Sequence, residues 1–465
     1  MLLSLFFSCT SSAPQAQPDV LIVVLDTVRA DRLSLYGHHR NTDTQLIEIA
    51  AAGVLFEQAT SSSSWTWPSH ASLFTGAQPW EHGAHRSKKG LSIEDSDWSV
   101  SPMHSDIPTL AEAFKNAGYI TKSYSTNALL DPELGLMRGF DEAIATSDEA
   151  RTMSLALEAL NTPHSSPLFL FVNLMSAHAP YLIADFVPWS AKHRSDFDIN
   201  TTTLEWAKPY IFTEYPGLNL TYFQEGNING EMLYSKGALN IPKTDLLKIE
   251  DLYDGELMRL NIMMSSLMKA WNGRNGIVAV TSDHGEYLGE NKRIGHGADL
   301  HPSVLSVPLI VAYPGQLEAG VRKKAPVEMR RLGATVLDLA RIDTTSKSLA
   351  KKHSLFEESS DPIMAGVWGF SDWAKQVDPV YGIQKRWVQK NNYVAIVDEQ
   401  GNGSMFNLST DPTLERNISK EEHLMFEDLK NTALLHMSKP SVEANFTADE
   451  ELLQQKLRSL GYMDD

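Results

Sequence analysis

Val20-Leu21-Ile22-Val23-Val24-Leu25 is an unbroken apolar run, mostly β-branched, and it ends on Asp26-Thr27. A strand buried on both faces reads this way, without the alternation of a half-exposed one, so the run predicts a central parallel strand. The pattern recurs at Phe169–Leu174 and Gly276–Thr281, and a fourth run follows at Val307–Ala312. Helical patterns lie between these runs. Ile107-Pro108-Thr109-Leu110 starts one that stops near Gly118, and Leu257, Leu260, Met264, Leu267, Met268 and Trp271 line one face of another. Strands alternating with helices predict an α/β fold, a doubly wound and mostly parallel sheet sandwiched by helices.

A chain of 465 residues has room for such a domain and a smaller one. Beyond residue 345 the pattern changes. Trp387-Val388-Gln389 and Tyr393–Val397 read as antiparallel strands, and a helix is expected from about 446 to 459. The expected division is a catalytic α/β domain over 19–345 and a C-terminal α+β domain over 346–465. Residues 182–243, irregular and rich in aromatics, are expected to form a cap insertion.

The balance of 40 Lys+Arg against 58 Asp+Glu, net −18, excludes a generic nucleic-acid binder, which needs a basic footprint. Cys9 is the single cysteine, which excludes intrachain disulfides, thiolate zinc sites, iron–sulfur clusters and a catalytic thiol in the folded body. Residues 1–18 begin with an apolar stretch too short to span a membrane and continue uncharged after Cys9. They read as the end of a secretory signal with Cys9 as a lipidation site and a flexible tether. The protein is therefore expected to be exported, periplasmic or attached to the cell envelope, touching a membrane through that anchor alone.

In an open α/β sheet, ligands gather outside the carboxyl ends of the strands. Asp26 ends the first strand, and Ser282-Asp283-His284-Gly285-Glu286 ends the third. Two carboxylates and an imidazole suit a divalent ion such as Mg²⁺, Mn²⁺, Ca²⁺ or Zn²⁺. Ser64-Trp65-Thr66-Trp67-Pro68-Ser69-His70, closed at Gly76, reads as a short helix with Thr66 at its cap. The N-terminus of such a helix offers free N–H groups and a positive dipole end to a tetrahedral oxyanion.

In order and wording these segments resemble the sulfatase family of the alkaline phosphatase superfamily. LIVVLDTVRADRLSLYG is similar to the family's opening strand and metal loop, WTWPSHASLFTG to its nucleophile motif, and TSDHGEYLGE with GHGADLHPSVLSVPLIV to its second metal loop. The resemblance implies that Asp26, Asp283 and His284 hold one divalent metal and that Thr66 stands at the nucleophile position. It places His70 where sulfatases usually carry an arginine and His178 near the leaving oxygen. It places His296 against the transferred group, with Asn127 on the same oxygens. A second metal would require an acidic residue near His178, where Ser176-Ala177 stand, so one metal is expected.

Three positions depart from the family pattern. Formylglycine forms from cysteine or serine, whereas oxidation of Thr66 would give a ketone. Thr27 stands where sulfatases usually have a second aspartate, and His70 replaces the arginine. All three point to a direct threonine nucleophile, the chemistry of superfamily members that act mostly on phosphorus. The expected function is metal-dependent hydrolysis of phosphate mono- or diesters. The substrate would be a small molecule or a glycan or lipid ester. The alternatives are a sulfuric ester hydrolase working without formylglycine, and a catalytically weak exported protein that binds anionic glycans or lipid head groups.

Overall fold

The computed structural model describes residues 17–92, 99–179, 187–192, 240–369 and 379–437, together with Tyr181, Ser235 and Gly237. Cys9, most of the 182–243 segment and the helix expected over 446–459 lie outside the described residues.

Eight strands form the main sheet: β1 (Asp19–Leu25), β2 (Gly53–Phe56), β6 (Ile120–Ser125), β7 (Glu142–Ala145), β8 (Leu168–Leu174), β9 (Gly276–Thr281), β13 (Leu309–Ala312) and β14 (Val321–Lys323). Their order is β14-β2-β13-β9-β1-β8-β6-β7. β1 lies between β8 and β9 and is parallel to both, with Val20 opposite Phe169 and Ile277. Its alternate residues serve two cores. Val20, Ile22 and Val24 join helices Thr66–Thr75, Leu110–Asn116 and Leu332–Ala340 on one face. Leu21, Val23 and Leu25 join helices Thr44–Ala51, Glu149–Asn161 and Lys243–Trp271 on the other. Burying such side chains on both faces contributes about 1.5–3 kcal/mol each, which is why the run needs no polar alternation.

The fourth apolar run departs from expectation. Ser306–Val307 (β12) leaves the main sheet and pairs antiparallel with β3 (Ala59–Thr60), which also pairs with β15 (Val327–Glu328). After Pro308, β13 re-enters the main sheet antiparallel to both β9 and β2. Proline lacks the N–H that a continuous ladder would use, so the run breaks there.

The smaller sheet is antiparallel throughout: β16 (Ile363–Val367), β17 (Lys385–Lys390), β18 (Tyr393–Asp398) and β19 (Gly403–Asn407). Helix His423–Met437 covers one face through Phe426, Leu429 and Ala433. The other face packs on Tyr287, Leu300 and Val304 of the larger domain. Two short pairs complete the sheets, β4 (Arg86–Ser92) with β5 (Ser99–Val100) and β10 (Tyr287–Leu288) with β11 (Ile294–Gly295). β16 also braces the turn before helix Thr66–Thr75, since Gly366 N donates to Ser62 O and Ser63 Oγ donates to Gly366 O.

Candidate active site

β1, β8 and β9 end together, and the residues that follow them face one another. Asp26 after β1 and Asp283 and His284 after β9 are fully buried, and one ligand atom from each lies within 4.8 Å of the others. His284 Nδ1 lies 2.9 Å from Gly285 O and donates to it. That leaves the Nε2 lone pair pointing inward, 3.3 Å from Asp283 Oδ2 and 3.9 Å from Asp26 Oδ1. The outer oxygens are already satisfied. Asp26 Oδ2 accepts from Asn127 Nδ2 at 2.9 Å and Asn173 Nδ2 at 3.3 Å, and Asp283 Oδ1 accepts from His284 N at 2.9 Å and Thr27 N at 3.3 Å. The inner oxygens, Asp26 Oδ1 and Asp283 Oδ2, have no hydrogen-bond partner among the described residues.

The electrostatics follow from this crowding. Burial pushes the Asp283 carboxyl up to about 7. Burial, then the Asp283 charge, raises Asp26, against the opposing pull of His284, His178 and His70. Burial, then His296, drives His284 down to about 3. Among the described residues no lysine or arginine pairs with either carboxylate. Two unpartnered carboxylate oxygens and an imidazole nitrogen facing one another form a donor set for a divalent cation, and the residues fit one.

Thr27 is the joint that permits this. Its φ of 57° is left-handed, a conformation that costs a non-glycine residue about 1 kcal/mol. The turn is held because Thr27 Oγ1 donates to Asp26 O at 2.7 Å and the Tyr253 hydroxyl donates to Thr27 O at 2.8 Å. The Thr27 side chain therefore faces its own backbone.

Thr66 is the first residue of its helix rather than the cap. Trp65 holds the cap position, and no side chain caps this helix end. The Thr66 hydroxyl instead lies 3.3 Å from His284 Nε2 and accepts from Asn127 Nδ2 at 3.3 Å. His70 lies one turn further on, fully buried against Phe74 and Phe171. Its Nδ1 is 3.1 Å from Thr66 O and 3.5 Å from Asp283 Oδ2, and burial lowers its pKa to about 4. His296 and His178 lie to one side of the group. The His296 ring is 4.4 Å from His284 and 4.9 Å from His178. His296 Nδ1 meets Glu286 Oε1 at 3.0 Å, and His178 Nδ1 meets Ala179 O at 2.6 Å. Burial, then the facing charges of His178 and Arg86, hold His296 well below its ordinary pKa.

The structure thus brings together all eight residues singled out in the sequence. It adds three that were not: Asn173, Glu286 and Tyr253. Asn173 carried a readable signal, a polar residue within a strand otherwise buried in apolar side chains.

A sulfatase-family profile matches residues 18–342. The Delta 4,5-hexuronate-2-O-sulfatase of Bacteroides thetaiotaomicron is 21% identical over 451 residues, covering 88% of this chain and 86% of the relative. Among solved structures, a protein in complex with its substrate D-glucosamine-2-N,6-O-disulfate superposes with a TM-score of 0.67 at 16% identity, covering 91% of this chain and 99% of the other. The phosphonate monoester hydrolase of Agrobacterium radiobacter superposes with a TM-score of 0.65 at 16% identity, covering 91% and 96%. At these identities the structural likeness speaks to the fold.

Proposed function

Because the chain belongs to the sulfatase family, we propose that this hydrolase uses Thr66 itself as nucleophile, with Asp26, Asp283 and His284 holding one divalent metal, on phosphate mono- or diesters. One observation carries the reading. The Thr66 hydroxyl is not spent on its helix end; it lies 3.3 Å from His284 Nε2, beside the inner oxygens of the two aspartates.

A divalent ion bound to this donor set would lower the pKa of a nearby hydroxyl and draw charge from the ester's oxygens. The protein's own residues do the rest. Asn127 holds the Thr66 oxygen with one amide hydrogen and Asp26 with another. Thr66 Oγ1 attacks phosphorus in line, the Oγ1–P bond forming as the bond to the ester oxygen breaks. The proton Thr66 releases and the one the leaving oxygen takes up balance. The N–H groups of the helix's first turn, free of any side-chain cap, face the charge that develops. Water then attacks phosphorus as the P–Oγ1 bond breaks, and Thr66 Oγ1 takes back a proton to match the one the water gives up. His296, neutral with Nδ1 held by Glu286, offers Nε2 to accept the water's proton. His70, its donor atom committed to Thr66 O, orients the nucleophile's backbone from behind.

Sulfate esters are the second reading, favoured by the curated relative named as a sulfatase. Small-molecule or glycan esters are the substrate class, the latter supported by the fold neighbour solved with a sulfated glucosamine. Export and lipid anchoring at Cys9 belong to the same proposal and rest on the sequence. Chelated and metal-restored enzyme should be assayed on aryl phosphate, phosphodiester, phosphonate and sulfate esters, with Thr66→Ala in parallel. Metal-dependent phosphoester turnover that vanishes in Thr66→Ala is expected. Turnover untouched by the substitution would refute the nucleophile assignment, and turnover of sulfate alone would replace the phosphoester reading.

A further inference from the structure

Glu286 follows His284 by two residues, is fully buried, and stands outside the donor set. Two other segments meet on it. Its Oε1 takes His296 Nδ1 at 3.0 Å, whereas the equally buried Oε2 has no hydrogen-bond partner among the described residues. Its main-chain carbonyl accepts from Arg29 Nη1 at 2.9 Å. The Arg29 N–H in turn donates to the Tyr253 hydroxyl at 2.9 Å, and Tyr253 meets Tyr181 edge-on at 5.6 Å. The β10–β11 hairpin pairs Tyr287 with Gly295, bringing Glu286 and His296 to the same end of a tight ladder.

No lysine or arginine side chain among the described residues pairs with this carboxylate, so the His296 N–H is the donor that offsets its burial. An imidazole whose Nδ1–H is fixed on a carboxylate presents Nε2 alone to the other side. The His178 ring, with its Nδ1 on the carbonyl of Ala179, lies 4.9 Å from the ring of His296 that Glu286 fixes.

We propose that Glu286 is a positioning residue that acts through His296: its carboxylate ties the His284 turn to the His296 turn and holds that imidazole facing His284 and His178. The proposal rests on the reading that His296 serves ester cleavage. The test is a double-mutant cycle on metal-loaded, full-length enzyme, with 4-nitrophenyl phosphate, using Glu286→Gln, His296→Ala and the pair. Glu286→Gln is expected to lower kcat about 10–100-fold, the usual size for a partner that orients a site histidine, with KM little changed. In the His296→Ala background the same substitution is expected to change kcat less than about twofold. Metal content and the unfolding midpoint should stay at the wild-type level. Equal losses with and without His296, or loss of the metal, would overturn the proposal. If Glu286→Gln does not fold, Glu286→Asp keeps the charge, withdraws it by one methylene and enters the same cycle. The ¹⁵N shifts of the His296 ring give a readout independent of turnover. A pure Nδ1-protonated tautomer in the wild type that becomes mixed in the variant supports the role, and an unchanged tautomer contradicts it. Additive losses while Thr66 remains essential would sink the role of Glu286 alone. Full turnover in Thr66→Ala would remove the reading of the reaction, and this proposal with it.

Discussion

Removing the charge of Asp283 is expected to stabilise the metal-stripped enzyme at neutral pH and to leave it unchanged in acid. In the stripped protein, burial holds this carboxyl at about 7, against an ordinary value of 3.8. A group whose pKa is raised by folding contributes stability that is complete below its unfolded pKa and is lost as pH rises through the folded one. The window therefore runs from about pH 4 to 7. A gap of about three pKa units corresponds to about 4 kcal/mol lost by pH 8. Asp283→Asn escapes that loss. Its amide oxygen can keep the bonds from His284 N and Thr27 N, and its NH₂ replaces the unpartnered Oδ2 that faces the Asp26 carboxylate. For a chain of 465 residues, unfolding entropy is about 1 kcal/mol/K, so the variant should melt about 4 °C higher. The assay is thermal unfolding in excess chelator at pH 8 and at pH 4.5, repeated with saturating divalent metal. With metal the advantage of the variant should shrink, because wild type gains about 2.7 kcal/mol at a metal concentration one hundred times Kd and draws level near one thousand times Kd, where the gain is about 4.1 kcal/mol. A variant that melts below wild type in chelator at pH 8 would refute the claim that this carboxylate is buried without compensating charge.

Asp254, fully buried, accepts from Arg32, Arg40 and His38 and ties the first metal loop to helix Lys243–Trp271. Asp254→Asn removes the anion that Arg32 and Arg40 share, leaving Arg32 on Glu250 and Arg40 on Asp251, and should cost about 1–3 kcal/mol, read as a lower urea midpoint; an unchanged midpoint would argue that the cluster contributes nothing. Gly285→Ala would set a Cβ 2.1 Å from Ser303 O and 2.9 Å from Arg29 Cγ, and the backbone carbonyl cannot swing aside. A loss of about 1–3 kcal/mol by the same measure is expected, and a neutral result would show the loop to be more yielding than it looks. Asn127→Leu removes the donor that Thr66 and Asp26 share, so kcat should fall about 10–100-fold with the fold intact by circular dichroism. Wild-type kcat would mean that neither oxygen needs that hydrogen bond.

Strand burial was legible in the sequence, and strand direction was not. The runs at Val20–Leu25, Phe169–Leu174 and Gly276–Thr281 are parallel neighbours at the sheet's centre. Val307–Ala312 has the same texture, yet its two halves belong to different sheets and its second half runs antiparallel. An apolar run reports that both faces are covered; only the connection before it sets its sense. The site was legible where a polar residue interrupts a strand end, as at Asp26, Asp283 and His284. Thr66 sat one position off its expected place, because the cap signature marks the neighbourhood of a helix start and hydrogen bonding decides which residue fills it. Glu286 has no readable role within its motif, since its partners His296 and Arg29 come from loops that local patterning does not connect. Tyr253 escaped notice for a related reason: a tyrosine on an apolar helix face reads as packing, whereas its hydroxyl holds both Thr27 O and Arg29 N.

The most direct test of the Thr66 nucleophile is to catch the covalent intermediate. Metal-loaded enzyme mixed with 4-nitrophenyl phosphate, quenched in acid within the first turnover and digested, should yield the peptide containing Thr66 heavier by one phosphoryl group. Fragmentation should place that group on the Thr66 side chain, and the adduct should be absent from Thr66→Ala and from chelated enzyme. Turnover proceeding while this peptide stays unmodified at every quench time, or an adduct on another residue, would contradict the account.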